Sequence, residues 1–146
     1  MEKEWDLRVR TMSFAVSVLR FCRTLPHTDE AAEVARQLRR SASSSSAHYL
    51  AAKRNQSDAD YTSKLSRAIE EADESIFWLE FLRHSGMAAE RDIRPLREET
   101  NELIAIFVAS RSTAVERRAR KRKRVPKPKP QPGRMTEHRI PDSEDY

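Results

Sequence analysis

A chain of 146 residues can build one domain with a real core but leaves too little for a second. With 2 glycines, a single cysteine and 35% charged residues, it excludes a disulfide-stapled fold and a glycine-rich phosphate loop, and it favours helix. The net charge of +5 is unevenly spread: residues 1–110 hold 16 Lys/Arg against 18 Asp/Glu (net −2), and residues 111–146 hold 12 against 5 (net +7). A near-neutral body with a basic end implies an anionic partner, for which nucleic acid and a membrane surface are the usual candidates.

The first residues, Met1-Glu2-Lys3-Glu4-Trp5-Asp6, are acidic and carry no apolar stretch, so no signal peptide is expected. A helix is predicted from about Asp6 to Thr24, with apolar Leu7, Met12, Ala15, Val16, Leu19 and Cys22, and with Phe14, Val18 and Phe21 widening the stripe. It ends at Leu25-Pro26, because a residue before proline is pushed out of the helical region. The lone Cys22 reads as a buried small hydrophobe in a reducing compartment. No apolar run nears the roughly 20 residues that span a bilayer, so the expected location is cytoplasmic, with no membrane partner.

Thr28 or Asp29 can cap a second helix whose small or apolar residues fall at Ala31, Val34, Leu38, Ala42, Ser45, Tyr49 and Ala52. The run Ser41–Ser46 weakens helix propensity, and a low-complexity linker is its rival reading, but the helical period continues on both sides. Small side chains there would let neighbouring helices approach closely. Ser57-Asp58-Ala59-Asp60 has the shape of a capping box for a third helix, carried by Tyr61, Leu65, Ala68, Ala72, Ile76, Leu79 and Leu82 and stopped at Gly86. A fourth helix is predicted from near Asp92, with Pro95 in its first turn and Ile93, Leu96, Thr100, Leu103, Phe107 and Ser110 in a heptad-like register.

Short loops predict an all-α, antiparallel up-down-up-down four-helix bundle over residues 1–118. The middle of the fourth helix is apolar on more than one face. Ile104, Ile106 and Val108, together with Phe14, Val18 and Phe21, therefore read as an oligomerisation surface, with a thick core as the competing explanation. After about Arg118 the periodic pattern collapses into a block of cations and then a proline-rich run. Residues 119–146 are expected to form a disordered, basic tail.

Three stretches carry a resemblance. The first is Gln37-Leu38-Arg39-Arg40-Ser41-Ala42 running into Ala47-His48-Tyr49, followed by Arg54 and Ser57; the second is Asp60-Tyr61 with Lys64-Leu65, leading through Glu70-Glu71-Ala72-Asp73-Glu74-Ser75 to Trp78-Leu79-Glu80. The third is Asn101-Glu102-Leu103-Ile104-Ala105-Ile106-Phe107-Val108-Ala109-Ser110. Over residues 5–115 the chain resembles the bacterial four-helix-bundle family named after 23S rRNA intervening sequences. The resemblance implies an up-down bundle assembled as a homopentamer and no known enzymatic activity. In a related branch, the accessory variability determinant of diversity-generating retroelements, it implies binding to nucleic acid and to a reverse transcriptase. His48 stands where the family usually has Asn, Leu50-Ala51 replace polar or charged residues, and the basic extension is longer than the family's typical ending.

Catalytic chemistry finds little footing. His27, His48, His84 and His138 lie at no metal-ligand spacing, and Glu80 to His84 is one residue too long for the Glu-x-x-His of a di-iron bundle. No catalytic, cofactor-binding or metal-binding residue is expected. The acidic cluster Glu70, Glu71, Asp73 and Glu74 reads as a solvated face pairing with Arg67 or with Arg36, Arg39 or Arg40 of the second helix, where it could set packing register. The one feature that points to a ligand is the cationic block Arg117, Arg118, Arg120, Lys121, Arg122, Lys123 and Arg124, continued by Lys127 and Lys129. It contains no interleaved aromatic residue, so phosphate contacts without base stacking are expected. The sequence thus reads as a non-enzymatic oligomeric scaffold that binds nucleic acid through its basic tail, or else as a purely structural, protein-interaction module.

Overall fold

The computed structural model describes residues 2–54 and 57–126, with side chains from Asp6 onward. Four helices follow one another: α1 (Glu2–Cys22), α2 (Asp29–Ala52), α3 (Asp58–His84) and α4 (Glu90–Arg124). Local chemistry sets several of their ends. Thr28 Oγ1 accepts from the Ala31 N–H at 3.1 Å, and Ser57 Oγ accepts from the Asp60 N–H at 3.2 Å, so each satisfies one orphan donor of a first turn. At the end of α3, Gly86 takes φ +76, a left-handed conformation open to glycine. There the Gly86 N–H donates to the Arg83 carbonyl at 3.1 Å and the Met87 N–H to the Leu82 carbonyl at 3.0 Å, which closes the helix with a paired reverse turn.

Bonds between helices show that neighbours run antiparallel. Between α1 and α2, Ser46 Oγ donates to the Thr11 carbonyl at 2.8 Å, while Cys22 Sγ lies 3.7 Å from the Ala35 carbonyl. Between α2 and α3, the Ser41 and Ser75 hydroxyls are 2.8 Å apart and Ser45 Oγ donates to the Ala68 carbonyl at 2.7 Å. Between α3 and α4, Arg97 donates to Glu80 at 2.8 Å and Arg117 to Asp58 at 2.7 Å. The serine run is thus helical, and Ser41, Ser45 and Ser46 are buried. Their small side chains let α1 and α3 lie close to α2, and their hydroxyls find partners across the seams, so burial leaves none of the three orphaned.

The core is built from Val18, Leu38, Tyr49, Leu65, Leu79, Leu82, Ile93, Leu103 and Phe107. Tyr49 of α2 stacks on Phe107 of α4 with ring centroids 4.9 Å apart, which ties opposite corners of the bundle. The core face of α1 is Thr11, Phe14, Val18 and Cys22, continued by Leu25 beyond its end. Phe14 and Val18 are therefore interior residues, 3% and 0% exposed within a single chain, and cannot form an oligomer surface as the sequence suggested. Apolar residues lie on two faces of α1, and composition alone does not say which face turns inward. Arg10 of α1 bridges to Glu99 of α4 at 2.7 Å and also contacts Glu102.

The largest difference from expectation lies in α4. Its buried positions, Ile93, Thr100, Leu103, Phe107 and Ala114, continue the heptad register and then stop, and every residue from Val115 to Pro126 is exposed. The helix nevertheless runs on to Arg124, past the expected boundary at residue 118. Arginine, lysine and alanine are good helix formers, and the cations of the last turn, Lys121 to Arg124, face the negative end of the helix dipole. Val125 leaves the helix with ψ 117 because Pro126 follows it. Residues 127–146, the remainder of the expected tail, lie outside the described residues.

Two outcomes follow. Ser45→Leu is expected to cost about 1–3 kcal/mol of stability by overpacking the α2–α3 seam, while Ser43→Ala on the exposed side of the same run stays within about 0.5 kcal/mol, both read by chemical denaturation. Arg40 lowers the carboxyl pKa of Glu74, and Arg97, through hydrogen bonds, lowers those of Glu80 and Glu90. Carboxyls depressed in the folded state add stability that is complete above the unfolded range near about 4.3 and is lost as pH falls through the folded values. Melting temperature should therefore hold steady from neutral pH to about 5.5 and drop below about 4.5, and Arg97→Gln should flatten that drop.

Candidate nucleic-acid interface

The cationic block sits where α4 outlasts the bundle. Ten residues beyond Ala114 continue the rod for about 15 Å at the helical rise. At 100° per residue, cations spaced through Arg117–Arg124 fall on every side of it. One side is tied down. Arg117 Nη2 donates to Asp58 Oδ1 at 2.7 Å, Arg117 Nε reaches the same oxygen at 3.1 Å, and Lys121 Nζ donates to Oδ2 at 2.9 Å. Asp58 is the first residue of α3, and its carboxyl pKa is lowered by the hydrogen bonds from Lys121 and Arg117. Arg120 meets Glu116 only at 3.9 Å, and Arg118, Arg122, Lys123 and Arg124 have no acidic partner among the described residues. Lys127 and Lys129 lie outside the described residues.

The Asp58 clasp joins residues 59 and 63 positions apart, and a reading of the basic block by itself misses it. The signal was present in the antiparallel pairing of the last two helices, which brings the start of one beside the end of the other. At the foot of the rod the structure also places a polar cleft of about 530 Å³ between the α2–α3 turn and α4, lined by Lys53, Asp58, Tyr61, Ser110, Thr113 and Arg117. The Lys53 ammonium stands 5.6 Å from the centroid of the Tyr49 ring and 5.8 Å from that of Tyr61.

The other sequence-derived positions scatter. Of the oligomer candidates outside the core, Phe21, Ile104 and Ile106 are half-buried against it and only Val108 is exposed. The outward apolar residues are instead Val9, Met12 and Leu19 on α1, Phe77 and Phe81 on α3, and Val108 and Val115 on α4. Phe77, Trp78 and Phe81 form one aromatic cluster with centroids 4.9 to 6.2 Å apart. In the acidic cluster, Glu71 and Glu74 pair with Arg40 of α2, and Glu74 also accepts from Trp78 Nε1 at 3.3 Å, so these residues bridge helices as expected. Glu70 and Asp73 face solvent.

His48 Nδ1 lies 2.8 Å from the Ser44 carbonyl, and His84 is exposed 3.7 Å from Glu80. No group of His, Cys, Asp and Glu among the described residues could hold a metal ion. Cys22 is a free, buried thiol whose pKa is raised by burial, against a smaller opposing effect of Arg39. No helix among the described residues is long and apolar enough to cross a membrane.

Comparison with known proteins agrees with this architecture. The family model described as 23S rRNA-intervening sequence protein matches residues 3–109. Among solved structures, a protein of unknown function from the S23 ribosomal protein family of Bacteroides thetaiotaomicron VPI-5482 superposes with a TM-score of 0.66 at 24% identity, over 70% of this chain and 94% of its own. That likeness establishes a shared fold. No curated protein matches the chain. A four-helix bundle with a match over most of its length places this chain in the 23S rRNA-intervening sequence protein family.

Proposed function

We propose that this protein is a non-enzymatic, self-associating helical scaffold that grips the phosphate backbone of nucleic acid with the protruding basic end of α4 and the lysines that follow it. The observation that carries the reading is the rod itself. Seven cations in eight positions lie beyond the last buried residue of α4; Arg117 and Lys121 are tied to Asp58, and four of the others have no acidic neighbour among the described residues. Such a rod releases counterions when it meets phosphates, so affinity should be strongly salt-dependent and weakly sequence-dependent. A preformed helix also loses less conformational freedom on binding than a flexible tail would. The lone, buried Cys22 is consistent with a reducing cytoplasmic setting.

Self-association is supported by the outward apolar side chains, which include Val108 but none of the other residues first suspected. Val9, Met12, Val16 and Leu19 form a second stripe on α1 at steps of three, four and three, turned away from the core face. Phe77 and Phe81, 56% and 43% exposed, offer aromatic area on α3. Contact between these different faces of successive copies would be head-to-tail, the arrangement that closes into rings such as a pentamer. Several basic rods on one ring would add avidity. The same aromatic cluster supports the second reading, a module that binds another protein and has no nucleic-acid role.

The first of two measurements separates these readings, and the second tests the self-association surface. In fluorescence-anisotropy titrations of the full chain with a labelled oligonucleotide, the slope of log affinity against log salt should be steep. Arg118→Gln, Arg122→Gln, Lys123→Gln and Arg124→Gln combined should flatten it by about 3 units; an unchanged slope would reject the backbone-binding role. In sedimentation velocity, Phe77→Ser with Phe81→Ser should reduce the assembly to monomers, and an intact oligomer would place the interface elsewhere.

A further inference from the structure

The basic block has no aromatic residue of its own, but the fold brings one to its base. Tyr61, in the first turn of α3, lines the 530 Å³ cleft together with Arg117, Ser110 and Thr113 of α4 and with Lys53 at the end of α2. That volume lies within the range of small-ligand sites, about 300–1,000 Å³. Its walls combine three chemistries: a half-buried phenol ring, hydroxyls on α4, and cations from two helices.

Arg117 is half-exposed and spends Nε and Nη2 on one oxygen of Asp58, while a guanidinium has five N–H donors in all. Donors therefore remain for an anion in the cleft without breaking the clasp. Asp58 does not turn the cleft negative, because Arg117 and Lys121 both pair with its single charge. The Ser110 hydroxyl is half-buried at the wall, and Thr113 is exposed at the rim with its Oγ1 bonded back to the Ala109 carbonyl at 3.1 Å.

We infer that this cleft binds one unpaired nucleotide, with its base against the Tyr61 ring and its phosphate on Arg117, at the point where a strand held along the basic rod meets the bundle. The inference rests on the nucleic-acid reading for its class of ligand and adds a preference to it. A rod that contacts only phosphates treats paired and unpaired strands alike, whereas a ring on the wall of an open cleft offers a stacking face only to a base that is free to leave its stack. The chain should therefore favour single strands and frayed ends over blunt duplex.

The test titrates the full chain with adenosine 5′-monophosphate, adenosine and inorganic phosphate. The nucleotide should bind about 10-fold more tightly than either fragment, since it engages both the ring and the cation. Tyr61→Leu should bring the nucleotide down to the level of phosphate, Tyr61→Phe should restore it, and Arg117→Gln should bring it down to the level of adenosine. Because Tyr61 is half-buried and its loss could disturb folding, Thr113→Trp at the exposed rim provides a second variant, which should block the cleft and leave the melting temperature unchanged. Nucleotide binding no tighter than phosphate, or unaffected by both Tyr61→Leu and Thr113→Trp, overturns the inference. Steep, salt-dependent oligonucleotide binding in that case would leave the backbone-binding reading standing. Nucleotide binding with the stated pattern, but no oligonucleotide binding, would uphold the cleft and reject the rod.

Discussion

The antiparallel pairing of α3 with α4 is the constraint from which the rest of the molecule follows. Both helices bury a continuous stripe, and their register is held by Arg97 on Glu80 at one end and by Arg117 and Lys121 on Asp58 at the other. The partner of α4 begins at Asp58, yet α4 has ten more residues beyond its last buried position, so the excess must project into solvent. That excess holds seven Lys/Arg against the single Glu116, a net of +6 that exceeds the whole chain's +5. A hydrophobic register that stops at Ala114 and a helix that stops at Val125 together make a cationic rod with a fixed foot.

Small residues let α2 pack closely on α3. At the α2–α3 seam, Ser41, Ala42 and Ser45 oppose Ala68, Ala72 and Ser75, and the hydroxyls bond across the gap or to a carbonyl. Lys53 at the end of α2, Tyr61 of α3 and Arg117 of α4 line one cleft.

The fold was legible in the sequence because periodicity, caps and turns agreed. Thr28, Ser57 and Gly86 mark boundaries through local hydrogen bonding, which depends little on the rest of the chain. Other features were not legible, for different physical reasons. On α1, apolar residues occupy two faces, and only packing decides that Phe14 and Val18 turn inward while Met12 and Leu19 turn out. At the end of α4, a run of like charges resembles a disordered tail, but helix propensity, the dipole and a carboxylate 59 residues away favour helix. The pairing with Asp58 and the cleft beside Tyr61 are products of tertiary structure, and no local pattern announces them.

Amide chemical-shift mapping tests most directly the proposal that nucleic acid binds at the end where the start of α3 meets the end of α4. Adding a short single-stranded oligonucleotide to the isotope-labelled full chain should move resonances of residues 57–61 and 110–124. Those around Phe77 and Phe81, toward the other end of α3, should stay still. Shifts centred on that aromatic cluster, or none at all at low salt, would contradict the account.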